Sequence, residues 1–128
     1  MSIISLLKIL SDENRLRMLN ITKEDALCVG EIQTILDLSQ SNTSRHLEKI
    51  KSSGMVTYHK KAQWIIYQLS NESLETYPFI KQLLFEDIID IPLFKKDLIR
   101  LNKYKASGLT CQDLKDANFD YNKIKFTD

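Results

Sequence analysis

Ten polar or basic residues between positions 40 and 63 have the types and spacing to meet a nucleic acid. They are Gln40, Ser41, Asn42, Ser44, Arg45, His46, Lys49, Lys60, Lys61 and Gln63. Base edges in the major groove offer donors and acceptors, so a helix that enters it needs small polar and basic side chains on its exposed N-terminal face. Ser41, Ser44 and Arg45 fall at i, i+3, i+4 and share one helical face. Gln40 could read adenine bidentately or hold a phosphate, and Arg45 could read guanine. Lys49, with Lys60, Lys61 and Gln63, would add phosphate contacts that carry no sequence information. His46, inside the same helix, is expected to touch DNA or lie on the helix surface. His59, beside Lys60, is expected to face phosphate or solvent rather than a metal.

The second chemical feature is a pair of cysteines, Cys28 and Cys111, 83 positions apart. Two cysteines so placed make neither a disulfide scaffold nor a zinc-ribbon pattern, and reduced thiols in a cytoplasmic protein are the expectation. Three readings stay open for Cys28. It could be a core thiol between Leu27 and Val29 that needs no ligand. It could be half of a thiolate metal site, with Cys111 or a thiol of a second subunit. It could be half of a redox or persulfide switch with Cys111. Cys111 lies in a polar segment, where a packing role is less natural, and this favours the sensing readings.

The elements that must position these residues are mostly helical, because the chain has only three glycines and two prolines. Ile3, Leu6, Leu7 and Leu10 mark a short amphipathic first helix. Ser11 or Asp12 caps a second, with Leu16 and Leu19 inward. Residues 25–30 read as a connector, followed by a third helix to about Leu36. Ser39 is a good N-cap for a fourth helix that ends near Ser53, with Gly54 closing it. Residues 55–59 and 64–69 are rich in β-branched and aromatic types and predict a hairpin with a basic tip, though without the usual glycine turn. Pro78 suits a first helical turn, and Pro92 should kink or break the helical stretch between about 78 and 105. Residues from Leu109 onward are polar and weakly periodic, a tail that docks through Phe119, Tyr121 and Phe126.

This order of elements is a winged helix-turn-helix: mainly α with a small β-hairpin, dimerising through N- and C-terminal helices. The expected organisation is a DNA-binding and dimerisation domain over residues 1–105 and a C-terminal tail over 106–128. At 128 residues and 43% hydrophobic content the chain suits one domain with a real core and is not intrinsically disordered. No apolar run approaches the roughly 18 residues that span a bilayer, and the apolar start lacks a signal-peptide cleavage pattern. The net charge of +1 hides an uneven distribution. Residues 39–69 hold Arg45, Lys49, Lys51, Lys60 and Lys61 against Glu48 alone, while the flanking segments are net acidic. Two histidines, both in the basic stretch, and no Gly-rich phosphate loop leave no acid–base or nucleophile constellation, so an enzyme is not expected. A winged helix used for protein contacts would present an acidic or apolar face, whereas this one is polar and basic.

Three segments carry a resemblance: Leu10 to Leu19 (LSDENRLRML), Ala26 to Ile32 (ALCVGEI) and Leu38 to Leu47 (LSQSNTSRHL). In that order they are similar to the signatures of the ArsR–SmtB family of bacterial winged-helix repressors, and Gly54-Met-Val and Trp64-Ile-Ile-Tyr67 extend the similarity through the wing. The resemblance covers roughly residues 5 to 70. It implies a homodimer built from the first and last helices, one recognition helix per half of a pseudo-palindromic operator, and repression relieved by an inducer. No cofactor is required; a thiolate-bound inducer such as As(III) is implied. Metal sensors of the family often carry Cys-x-Cys where this chain reads Cys28-Val29-Gly30, so the second thiol is missing. Arsenite prefers three thiolates, and one protomer offers Cys28 and Cys111. The chain has no histidine after His59, which argues against the family's zinc site on the C-terminal helix. A redox- or persulfide-responsive repressor, or one that senses no ligand, would use the same DNA-binding face.

Overall fold

The computed structural model describes every residue except Met1, Ala117, Lys125, Thr127 and Asp128. Helices α1 (Ile3–Leu10) and α2 (Glu13–Thr22) are separated by Ser11 and Asp12, and Asp12 caps α2 by accepting the Arg15 N–H at 3.0 Å. A two-residue strand β1 (Leu27–Cys28) leads directly into α3 (Val29–Leu36). Asp37, in the left-handed region at φ 56°, turns the chain towards α4 (Gln40–Ser53). Ser39 caps α4 by accepting the Asn42 N–H at 3.2 Å, and Gly54 closes it at φ 79°, a conformation that suits a residue without Cβ.

The hairpin is β2 (Val56–Lys61) with β3 (Trp64–Leu69), so the first strand extends two residues beyond the expected end at His59. Its turn is the two-residue pair Ala62–Gln63, with Ala62 at φ 55° in the place where a glycine was missed. Strand β1 pairs with the other edge of β3, giving the antiparallel order β1–β3–β2 with Cys28 opposite Ile66. The expected connector at residues 25–30 is therefore partly a sheet edge.

Beyond the sheet come α5 (Asn71–Thr76) and α6 (Pro78–Gln82), a π-helical turn over Leu83–Asp87, and α7 (Pro92–Ala106). Both prolines stand in first helical turns, and the stretch is broken, as expected, just before Pro92, which starts α7. A short α8 (Cys111–Lys115) follows, opened by Thr110, whose N–H and hydroxyl both donate to the Asp113 carboxylate. Leu114 and Ile124 join the core, Phe119 and Phe126 pack half-buried against it, and Tyr121 is exposed.

Met18, Leu19, Ile21, Ile32, Ile35, Leu47, Ile50 and Met55 form the centre of the core where α2, α3 and α4 meet. Polar ties fix α7 across it. The Arg17 guanidinium makes a two-pronged ion pair with Asp97 at 2.7 and 3.0 Å and also donates to Leu36 O. Asp97 is fully buried. Asn20 donates to Phe94 O, and Arg100 donates to Ile35 O and Thr34 O. The terminal carbonyls of α3 are thus capped by charged donors from two other helices.

Leu84 and Phe94 are buried within the chain. Exposed large apolar residues include Ile3, Ile4 and Leu7 on α1, Ile65 on β3, and Phe79, Phe85, Ile89, Ile91 and Ile99 in and between α6 and α7. Among the described residues, no helix is long and apolar enough to cross a membrane.

Candidate nucleic-acid interface and thiol site

Helix α4 is two-sided. Thr43, Leu47 and Ile50 are buried against the core, while Gln40, Ser41, Arg45 and Lys49 are exposed and Asn42 and Ser44 half-exposed. Arg45 Nη2 donates to Asn42 Oδ1 at 2.8 Å, which pre-positions the guanidinium one turn above the helix start. Lys60, Lys61 and Gln63 are exposed at the end of the hairpin. The helix and the hairpin tip therefore carry nine of the ten expected contact residues on accessible surface.

His46 is the exception and a correction. It is 4% exposed, with its ring 3.3 Å from an Arg15 guanidinium nitrogen and 3.9 Å from Asp12. The reason is helical phase: His46 lies three residues after Thr43 and four before Ile50, on the inward face. Burial holds its pKa below the ordinary 6.5, the neighbouring Asp12 carboxylate opposing and the Arg45, Arg15 and Lys49 charges adding to the effect. It belongs to packing between α4 and α2. His59 is exposed on β2, as expected, and Tyr67 turns inward beneath the hairpin while Trp64 is half-exposed.

The two cysteines, far apart in sequence, are joined as a disulfide with Cα atoms 6.5 Å apart. The structure thus sets aside the reading of Cys28 as a solitary core thiol and the expectation of two separate reduced thiols. Cys28 is 3% exposed at the N-cap of α3, and Cys111 is half-buried at the start of α8. Glu31, three residues into α3, reaches back to accept the Cys28 N–H at 3.1 Å through Oε1. The same oxygen lies 3.2 Å from Cys111 Sγ. Oε2 accepts the Tyr104 hydroxyl at 2.7 Å, and that hydroxyl also donates to Leu109 O. Burial, then the hydrogen bond to Glu31, pushes the Tyr104 phenol far above its ordinary value, so it stays a donor.

Sequence reasoning found both cysteines but missed Glu31 and Tyr104. The spacing Cys28-x-x-Glu31 is the signal that was available, since an N3 glutamate folds back on its own cap. Helix α8 then touches the wing: Gln63 Nε2 donates to Gln112 Oε1 at 3.2 Å, and Lys115 Nζ sits 5.4 Å from the Trp64 ring centroid. A cavity of about 410 Å³ opens between α3, α8 and the hairpin, with Cys28, Cys111, Gln40, Gln63 and Trp64 in its wall.

Residues 12–58 match the model of the bacterial regulatory protein, arsR family. The chain is 42% identical over 71 residues to the cadmium resistance transcriptional regulatory protein CadC of Listeria innocua, 55% of this chain and 60% of that protein. It is 43% identical over 68 residues to the arsenical resistance operon repressor of Escherichia coli, covering 52% and 58%. The match thus spans about 60% of the length of these curated relatives. Among solved structures, HlyU from Vibrio cholerae is 34% identical with a TM-score of 0.55, and the match covers 64% of this chain and 89% of that one.

Proposed function

The chain belongs to the arsR family of bacterial regulatory proteins, and from that premise we propose that it is a DNA-binding transcriptional repressor acting as a homodimer on a pseudo-palindromic operator. The observation that carries this reading is the two-sided α4. Its inward face is locked into the core, and its outward face offers Gln40, Ser41, Ser44 and Arg45 beside a lysine-bearing hairpin tip. Arg45 and Gln40 read base edges, and Lys49, Lys60, Lys61 and Gln63 hold phosphates. The curated relatives named above are transcriptional regulators rather than enzymes.

Residues 1–105 are the DNA-binding and dimerisation domain, and 106–128 are a C-terminal tail, of which Leu114 and Ile124 join the core. The second copy covers the exposed apolar residues of α1 and of the α6–α7 region. A repressor of this kind works in the cytoplasm, where its operator DNA lies.

The effector site is the Cys28–Cys111 pair, and the inducer is thiol-reactive: arsenite or another soft metal. Oxidation of the same pair is the second reading, supported by the joined sulfurs. Either event clasps α8 onto α3 and holds Gln112 on Gln63, which takes a wing side chain away from phosphate.

The test is DNA selection from a random duplex pool by the dithiol protein, followed by affinity measurement. A two-fold symmetric sequence should be enriched, and Arg45→Ala should weaken its binding by about 1–3 kcal/mol without changing the dimer. Undiminished affinity in that variant would remove α4 as the reading element. Replacing Lys60 and Lys61 by alanine should weaken all sequences alike and reduce the salt slope by roughly 0.9 per lost contact.

A further inference from the structure

We propose that the cavity between α3, α8 and the hairpin binds a small planar aromatic carboxylate, with Lys115 as the partner of its negative charge. The site needs no chemistry at the cysteines, which stay joined. It goes beyond the repressor reading, on which only its consequence for DNA binding rests. The cavity holds about 410 Å³, within the range of small-molecule sites. Three elements wall it: α3 contributes Val29 and Gln33, α8 contributes Leu114 and Lys115, and β3 contributes Trp64 and Ile65. Only the fold brings these segments together.

The charge of the wall selects the charge of the ligand. Lys115 Nζ lies 5.4 Å from the Trp64 ring centroid and pairs with no carboxylate among the described residues. Among the described residues no acidic side chain lines the cavity. The side-chain amides of Gln33 and Gln40, also at the cavity, make no hydrogen bond among the described residues. One unneutralised cation and two free amides suit a single carboxylate. The ammonium matches its charge, and the amide N–H groups donate to its oxygens.

The apolar part of the wall selects the body of the ligand. Val29, Ile65 and Leu114 offer aliphatic surface and Trp64 an aromatic one, so a flat ring finds apolar area to bury. A rigid ring also loses little freedom on binding. A phosphate monoester carries about two negative charges, and a single lysine leaves one of them unmatched. Occupancy has a consequence for the reading face. Gln40 opens α4 and Gln63 lies in the hairpin turn, and both border the cavity. A carboxylate that engages Gln40 takes its amide away from a base edge or phosphate, and so weakens operator binding.

The experiment uses the full chain with its disulfide intact, titrated in parallel with cinnamate and with the uncharged cinnamamide. Cinnamate should bind one equivalent per chain, at least about tenfold tighter than the amide. Its binding should change the emission of Trp64, the single tryptophan of the chain. Lys115 is exposed, so Lys115→Gln leaves the packing untouched. That variant should bind cinnamate as weakly as cinnamamide and should bind cinnamamide as the parent does. Equal affinity for acid and amide in the parent would overturn the proposal. Undiminished cinnamate affinity in Lys115→Gln, or no binding of either compound, would overturn it as well. Operator affinity is read on the same samples with and without cinnamate. Lysine-dependent cinnamate binding that leaves operator affinity unchanged would support the site and overturn its consequence for DNA. The same binding by a protein that selects no duplex would support the site and overturn the repressor reading instead.

Discussion

Helix α3 is held at its two ends by different chemistry. At the C-terminal end Arg17 and Arg100 donate to the carbonyls of Thr34, Ile35 and Leu36, and Arg17 is itself locked by the buried Asp97. Arginine stays charged throughout the working pH range, so nothing in the surroundings switches these ties off. At the N-terminal end the ties are Cys28 to Cys111 and Glu31 to Tyr104, and the first of them is a disulfide, a bond that reduction breaks. One end is permanent and the other conditional. Because α3 leads through Asp37 into α4, a change at the conditional end would act on the helix that precedes the candidate reading helix while its far end stays pinned.

The contrast can be broken first at the permanent end. Asp97→Ala strands the Arg17 guanidinium in the core and should cost about 3–5 kcal/mol in urea unfolding, whatever the redox state. A cost below about 1 kcal/mol would mean that the arginine ties are not what fixes α3. At the conditional end, reduction with dithiothreitol should lower stability by about 2–4 kcal/mol, because the disulfide closes a loop of more than 80 residues. Thermal scans with and without reductant check this, and the double serine variant of Cys28 and Cys111 should give identical scans.

A third substitution sharpens what the conditional end can hold. A Cβ at Gly30 would lie 4.0 Å from Cys28 Sγ and 3.8 Å from Leu114, ordinary contacts. Gly30→Cys therefore supplies a third thiolate at little structural cost, and arsenite affinity should rise by at least about tenfold, or ~1.4 kcal/mol. Unchanged affinity would place the third sulfur outside reach of the pair.

The smallest effect concerns His46, which belongs to neither end. Burial lowers its pKa below 6.5 in the folded chain. Between 6.5 and that lowered value the unfolded chain binds more protons, so stability falls as pH falls through this window. The urea midpoint should drop on going from pH 7.5 to 5.5, equally in oxidised and reduced protein, and His46→Gln should remove that drop. A drop present only in reduced protein would tie His46 to the clasp.

What could be read from sequence follows the range of the interactions. Ser39, Gly54 and the apolar spacing of α4 are local signals, and they located the candidate reading helix to within a residue. The phase of His46 was there to be read too, since Thr43, Leu47 and Ile50 already define the inward side; polarity alone misplaced it. Strand β1 was hidden because two residues have no period, and the partner of Leu27 is 40 positions away at Tyr67. Helix α8 announced itself by Thr110-x-x-Asp113, a capping pattern that a polar composition obscured. The Arg17–Asp97 pair and the Glu31–Tyr104 hydrogen bond join residues more than 70 positions apart, and no local pattern marks them.

The most direct test of the account is operator affinity of the same protein in its open and clasped states. Fluorescence anisotropy on the selected duplex would compare dithiol protein with protein carrying arsenite, cadmium or the Cys28–Cys111 disulfide, with Cys28→Ser and Cys111→Ser alongside. The account predicts tight binding by the dithiol form, release on clasping, and no release in either serine variant. Equal affinity in the open and clasped states would contradict it and leave the thiol pair without a part in regulation.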